Sequence, residues 1–86
     1  MSRNKHGWRT AASLKAGERD QFAIIRTDGR HEVELYWDEQ QQGGFVLQHI
    51  RLSPEVREVH VWQVGTNLPL AREEFKKIVR RLGGTG

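Results

Sequence analysis

The clearest pattern of apolar and polar positions lies toward the C-terminal end of the chain. Apolar residues recur there at the 3.6-residue spacing of a helix, at Ala71, Phe75, Ile78, Val79 and Leu82. Glutamates stand at the start of this stripe and arginines at its end, an order that complements the helix dipole, and Gly83-Gly84 supplies a stop. The pattern predicts an amphipathic helix with a basic outer face.

Four β-prone runs precede the helix. The first two, over about 21 to 26 and 31 to 37, flank Asp28-Gly29, a pair typical of a tight hairpin turn. A polar loop, DEQQQGG, leads to a third run from Phe45 to Leu52, and Ser53-Pro54 separates that run from REVHVWQV at residues 57 to 64. The segment NLPL that follows is either a short extra strand or an extended lead-in to the helix.

The order of these elements predicts an α+β domain, in which a four-stranded antiparallel sheet is followed by one C-terminal helix packed on one face. We expect this domain to span residues 21–86. The first 20 residues show no sustained apolar period and are rich in Gly, Ser, Thr and basic residues, so we expect a flexible basic arm over residues 1–20.

The chain has 86 residues and no cysteine. A domain this small buries only about 60–65% of the surface of its unfolded chain, and no disulfide can support it, so oligomerisation is the remaining common means of support. No apolar run approaches the roughly 20 residues that cross a bilayer, and the N-terminus lacks the apolar stretch of a signal peptide. These features predict a cytoplasmic protein that does not associate with membranes.

The net charge of +3 is unevenly distributed. Residues 1–17 carry basic side chains and no acidic one, residues 18–70 carry more acidic than basic side chains, and residues 71–86 are again basic. Basic ends could steer an anionic partner toward the protein. Solvation of a tail and of a helix face explains the same pattern equally well.

Candidates for catalysis and metal binding are few. The four histidines form no i, i+4 pair, although His49 and His60 fall on neighbouring predicted strands. No serine lies in a G-x-S-x-G setting, and no glycine-rich loop precedes a helix. We therefore expect no enzymatic activity, no cofactor and no metal site.

Strand alternation suggests a binding face. If Val33, Leu35, Val59 and Val61 face the helix, Tyr36 and Trp62 emerge on the opposite side of the sheet with His60. His49 and Arg51 join them if Ile50 and Leu52 form the core side of the third strand. Such rings could stack on unpaired bases or form the centre of a protein interface. The same face carries carboxylates that repel phosphates: Glu32, Glu34 and Glu58.

The segments HEVELYWDEQQQGGFVLQHI and NLPLAREEFKKIVRRL, with the strand-strand-strand-strand-helix order, resemble the Pur (purine-rich element binding) family, the positive cofactor four family and the Whirly proteins. The resemblance covers about residues 20 to 82. It implies binding of single-stranded DNA or RNA by a homodimer, and a role in transcription or RNA regulation. Members of these families tend to carry basic residues on the binding strands, where this chain has Glu32 and Glu34.

Our first hypothesis is therefore a small, dimeric, single-strand nucleic-acid-binding protein. Its expected binding residues are cations that neutralise phosphates and rings that stack on bases, namely Lys5, Arg9, Arg26, Arg30, Tyr36, His49, Arg51 and Trp62. The second hypothesis is a protein-interaction module, such as a small inhibitor, adaptor or accessory subunit. It would dock on a protein partner through the Trp62 face or through the helix.

Overall fold

The computed structural model describes residues 9–41 and 43–83. In chain order its elements are α1 (Ala11–Lys15), β1 (Asp20–Arg26), β2 (Gly29–Asp38), a 3-10 turn (Glu39–Gln41), β3 (Gly44–Leu52), β4 (Arg57–Gln63) and α2 (Leu68–Arg81). The predicted α+β architecture of four antiparallel strands followed by a C-terminal helix is confirmed, with α1 as an addition. Neither of these helices has both the length and the apolar character to cross a membrane.

The strands lie in the sheet in chain order, β1-β2-β3-β4, and each pairs antiparallel with its neighbours. The predicted β1–β2 hairpin is present, but its two-residue loop is Thr27–Asp28, one position earlier than expected. Gly29 follows the loop with a φ of +126°. A Cβ at this position would collide with the Leu52 carbonyl of β3, so both the backbone angle and the close approach require glycine.

The core lies between α2 and one face of the sheet. On the sheet side, Val33, Leu35, Phe45 and Leu47 are buried. The predicted apolar stripe of α2 covers them, since Ala71, Phe75, Ile78, Val79 and Leu82 are all buried in the same cluster. We call the α2 side of the sheet the helix face and the opposite side the outer face.

The helix α2 begins earlier than the apolar stripe. Asn67 has an extended backbone, and its side-chain oxygen accepts a hydrogen bond from the Leu70 N–H at 3.1 Å. Pro69 lies in the first turn, where its missing N–H costs no helical hydrogen bond. The segment NLPL is therefore an N-cap and the first helical turn, and neither of the two conformations expected for it.

The segment expected to be a flexible arm packs on the domain from Arg9 onward. Thr10 caps α1 by accepting a hydrogen bond from the Ser13 N–H at 3.1 Å, and Leu14 is completely buried in the core. The Asp20 carboxylate accepts the Arg9 N–H at 2.8 Å and is paired with Arg72 of α2 at 2.8 Å. Residues 9–20 are therefore held on the domain by one buried leucine, Leu14, and by the Asp20–Arg72 ion pair.

The strand β4 forms one edge of the sheet. The helix α2 packs mainly against β2 and β3, and all seven residues of β4 are exposed to solvent. Neither face of β4 therefore belongs to the core.

Candidate nucleic-acid interface

The register between β3 and β4 decides which way the side chains of β4 point. Leu47 is paired with Trp62 and His49 with His60. Because Leu47 is a core residue on the helix face, Trp62 and His60 also lie on the helix face. Val59 and Val61 consequently point to the outer face. The expectation that these valines face the helix is wrong, since β4 lies beyond the area that α2 covers.

This register places the predicted binding residues on two different faces of the sheet. Arg26, His49, Arg51 and Trp62 lie on the helix face, whereas Arg30 and Tyr36 lie on the outer face. Arg9 lies two residues before α1, and Lys5 falls outside the described residues. The expected grouping of Tyr36 with Trp62 is therefore wrong. Glu32 and Glu34 share the outer face with Tyr36, so they are separated from Trp62 by the sheet.

The predicted residues away from the helix face have local partners. The Arg19 guanidinium lies 4.3 Å from the centre of the Tyr36 ring and also pairs with Glu34. Arg30 bonds Glu32 at 2.7 Å. These contacts neutralise the outer-face carboxylates and cover one face of the tyrosine ring.

A groove runs between β4 and the C-terminal part of α2, with a volume of about 340 Å³. Three rings line its sheet side. The His49 and His60 ring centres are 6.4 Å apart, and the His60 and Trp62 rings are stacked at 6.0 Å with an angle of 21°. The helix side is formed by Ile78, Arg81 and Leu82. We call this depression the Trp62 groove.

Sequence reasoning missed the contribution of α2 to this groove. The sequence pattern indicates only that Arg81 complements the helix dipole and that Ile78 and Leu82 are core residues. The amphipathic pattern does contain an indication of this contribution, because it places an arginine directly beside the apolar stripe of α2. Only the placement of α2 over β3 shows that Arg81 faces His49 and Trp62.

The two arginines on the helix face of the sheet, Arg26 and Arg51, have structural partners. The Arg51 Nε donates to Glu58 at 2.6 Å, and its Nη1 donates to the Asp28 carbonyl at 2.7 Å. Glu58, which lines the Trp62 groove, is thereby held by a cation. Arg26 donates to the Leu82 carbonyl at 2.6 Å and so satisfies a backbone acceptor at the C-terminal end of α2.

Two histidines and an aspartate form a hydrogen-bonded chain that ends at the groove. His31, which is buried, bonds Asp28 through Nε2 at 2.8 Å and His49 through Nδ1 at 2.9 Å. With Asp28 ionised and both rings neutral, the chain has one direction: His49 donates to His31, and His31 donates to Asp28. The bond from His31 lowers the pKa of Asp28 below its ordinary value.

Burial lowers the pKa of His49, and the neighbouring His31, His60 and Arg81 lower it further. In the unfolded chain the imidazole has its ordinary pKa of 6.5, so the unfolded state takes up a proton first as the pH falls. This contribution to stability is present above pH 6.5 and is lost below it. We expect the midpoint temperature of thermal unfolding to decrease as the pH is lowered from 7.5 to 5. The decrease should be smaller in a His49→Gln variant.

Circular dichroism melts of both proteins over this pH range provide the test. Glutamine keeps an amide N–H that can donate to His31 but cannot titrate. If the midpoint temperature depends on pH in the same way in both proteins, His49 is not responsible for the loss of stability at low pH.

The described residues contain no group of three or more His, Asp or Glu side chains arranged to hold a metal ion. Comparison of the chain with protein-family models, with curated proteins and with solved structures finds no match. The geometry of the Trp62 groove and the charges around it are therefore the basis for a functional conclusion.

Proposed function

We propose that this protein binds single-stranded nucleic acid in the Trp62 groove, in a transcriptional or RNA-regulatory role. The observation that carries the proposal is the row of rings formed by His49, His60 and Trp62 opposite Arg81. Proteins that bind single strands combine stacking rings with a cationic wall, and each stacked base contributes about 1–3 kcal/mol. Trp62 is 40% exposed and so has a ring surface available for stacking.

The charges of the groove favour an anionic ligand. Arg81 forms no ion pair with any residue in 9–41 and 43–83. Arg80 precedes it in the last turn of α2. The acidic side chain of the groove, Glu58, is paired with Arg51. Glu32 and Glu34, which would repel phosphates, lie on the other side of the sheet.

A single strand fits this arrangement better than a duplex. Bases in a duplex are stacked on one another, so their flat faces are not available to a protein ring, whereas an unpaired base can leave the stack and lie on tryptophan. The groove is open to solvent along its length, since β4 is exposed on both faces.

A Trp62→Ala variant should bind a labelled oligothymidine or oligouridine about 5- to 150-fold more weakly, the affinity equivalent of 1–3 kcal/mol. Fluorescence anisotropy at low salt measures the affinity. Tyr36→Ala is the matched control, because it removes an aromatic ring from the outer face. We expect this control to bind as the unmodified protein does, and an Arg81→Gln variant to show a shallower salt dependence.

A second candidate function is the docking of a protein segment. The Trp62 groove continues toward the start of α2 as a larger depression of about 910 Å³, with apolar side chains from Leu47, Trp62, Val64, Leu70 and Ile78. An apolar peptide would fit this part of the surface. If no oligonucleotide binds at low salt, the nucleic-acid proposal is overturned and this second candidate remains. If Tyr36→Ala weakens binding as much as Trp62→Ala does, the Trp62 groove is rejected as the binding site.

A further inference from the structure

The outer edge of β4 has backbone groups that no described residue uses. At the start of β3, the Val64 N–H donates to the Phe45 carbonyl, and the Phe45 N–H donates to the Gly65 carbonyl. Hydrogen bonds in an antiparallel ladder recur at every second residue. The even-numbered residues of β4 therefore bond β3, and the N–H and C=O groups of Arg57, Val59 and Val61 point away from the sheet.

Only the start of β4 carries charged side chains that could protect this edge, Arg57 and Glu58, and Glu58 is paired with Arg51. Natural edge strands are commonly protected by lysine, proline, a bulge or a covering element. The strand Arg57–Gln63 contains no lysine and no proline, and Val59 and Val61 are 40% and 56% exposed. The other edge strand, β1, differs in its side chains, because Phe22 and Ile24 pack against the core whereas all seven residues of β4 are exposed.

We propose that β4 pairs antiparallel with β4 of a second copy of this chain, so that two sheets join into one of eight strands. A two-fold axis at His60 aligns all seven residues of each strand. Val59 then lies opposite the partner's Val61, and the partner's Val59 opposite Val61. The outward N–H and C=O groups of these valines fall into hydrogen-bonded pairs in this register.

The charges of β4 are compatible with this pairing. Arg57 lies opposite the partner's Gln63, Glu58 lies opposite the partner's Trp62, and the two His60 rings face each other across the axis, so no arginine or glutamate faces a residue of like charge. On the outer face, Val59 is paired with Ile50 of β3. The valines at the dimer interface would therefore be continuous with an apolar residue of β3 in each copy. Cross-strand apolar pairs of this kind stabilise a sheet, and the added core supports a small domain.

The pairing predicts a mass of twice 10.0 kDa for the full-length chain at micromolar concentrations in sedimentation equilibrium. A Val59→Glu/Val61→Glu variant puts carboxylates directly opposite carboxylates and should sediment at 10.0 kDa. The matched control is Ile25→Glu/Leu70→Glu, which makes the same charge change at two exposed apolar residues outside β4. We expect this control to remain dimeric.

A cross-link tests the register itself. The chain contains no cysteine, so a His60→Cys variant has a single thiol. The two-fold axis brings the Cα atoms at position 60 to about 4.5 Å, within disulfide range. Oxidised glutathione should therefore link this variant into a dimer much faster than an Ile25→Cys control. These measurements need no nucleic acid, so their outcome is separate from that of the Trp62 experiment.

Several results would overturn the proposal. A mass of 10.0 kDa for the unmodified chain at every concentration excludes the dimer. Dissociation of the Ile25→Glu/Leu70→Glu control, with the β4 variant still dimeric, assigns the interface to another surface. Equal cross-linking of His60→Cys and Ile25→Cys rejects the two-fold axis at His60.

Discussion

A Phe75→Ala variant is expected to lose about 3–5 kcal/mol of its free energy of unfolding, the range typical of removing a buried phenyl ring. Phe75 lies in the middle of α2, is 1% exposed, and packs in the same cluster as Leu35 and Phe45 of the sheet. Its removal leaves a cavity between the two layers. Because small domains are stable by only about 5–15 kcal/mol, this variant should be close to unfolding at room temperature.

Urea titration followed by circular dichroism measures this effect. Leu70→Ala is the control, since Leu70 lies in the same helix but is 64% exposed. We expect the control to change the free energy of unfolding by no more than about 0.5 kcal/mol. A loss of similar size in both variants would show that helix formation, and not burial against the sheet, determines the stability.

An Asp20→Asn variant is expected to lose about 3–5 kcal/mol, because it removes the carboxylate that pairs with the Arg72 guanidinium in a largely buried site. The side chains of Asp20 and Arg72 are 1% and 17% exposed, and Arg72 also donates to the Arg9 carbonyl at 2.6 Å. The pair joins β1, α2 and the segment before α1. Its loss should therefore also free residues 9–18 from the domain, and chemical denaturation combined with limited proteolysis can detect both effects.

Glu18→Gln provides the comparison for Asp20→Asn. Glu18 pairs with Arg9 at 3.2 Å, and both side chains are about half exposed. Exposed ion pairs contribute about 0–1 kcal/mol, so this variant should unfold almost as the unmodified chain does. If Asp20→Asn is equally mild, the carboxylate is not the anchor of the N-terminal segment.

Elements with a strong local signal could be predicted from the sequence. The stripe from Ala71 to Leu82 has a helical period and does cover the sheet. The alternation in β2 correctly places Val33 and Leu35 in the core, because α2 covers that strand. The short helix α1 buries a single residue, Leu14, and one buried position among five residues does not establish a helical period.

The facing of β4 could not be predicted. The alternation of apolar and polar residues distinguishes the two faces of a strand when one face is buried and the other is exposed to solvent. Both faces of β4 are exposed, so Val59 and Val61 are no better indicators of a core than Trp62 is. The candidate groove depends on this facing and on α2 leaving β4 uncovered, and both are properties of the assembled fold. For this reason strand alternation alone wrongly groups Tyr36 with Trp62.

The order of the strands has a consequence for how the chain folds. Since β1, β2, β3 and β4 are neighbours in both sequence and space, each strand pairing closes only a short loop, and three hairpins can form early. The contacts of α2 with β1 are different, because Arg26 with Leu82 and Asp20 with Arg72 are separated by 56 and 52 residues. Because closing these long loops costs more entropy than closing a hairpin, we expect these two contacts to form after the strand pairings.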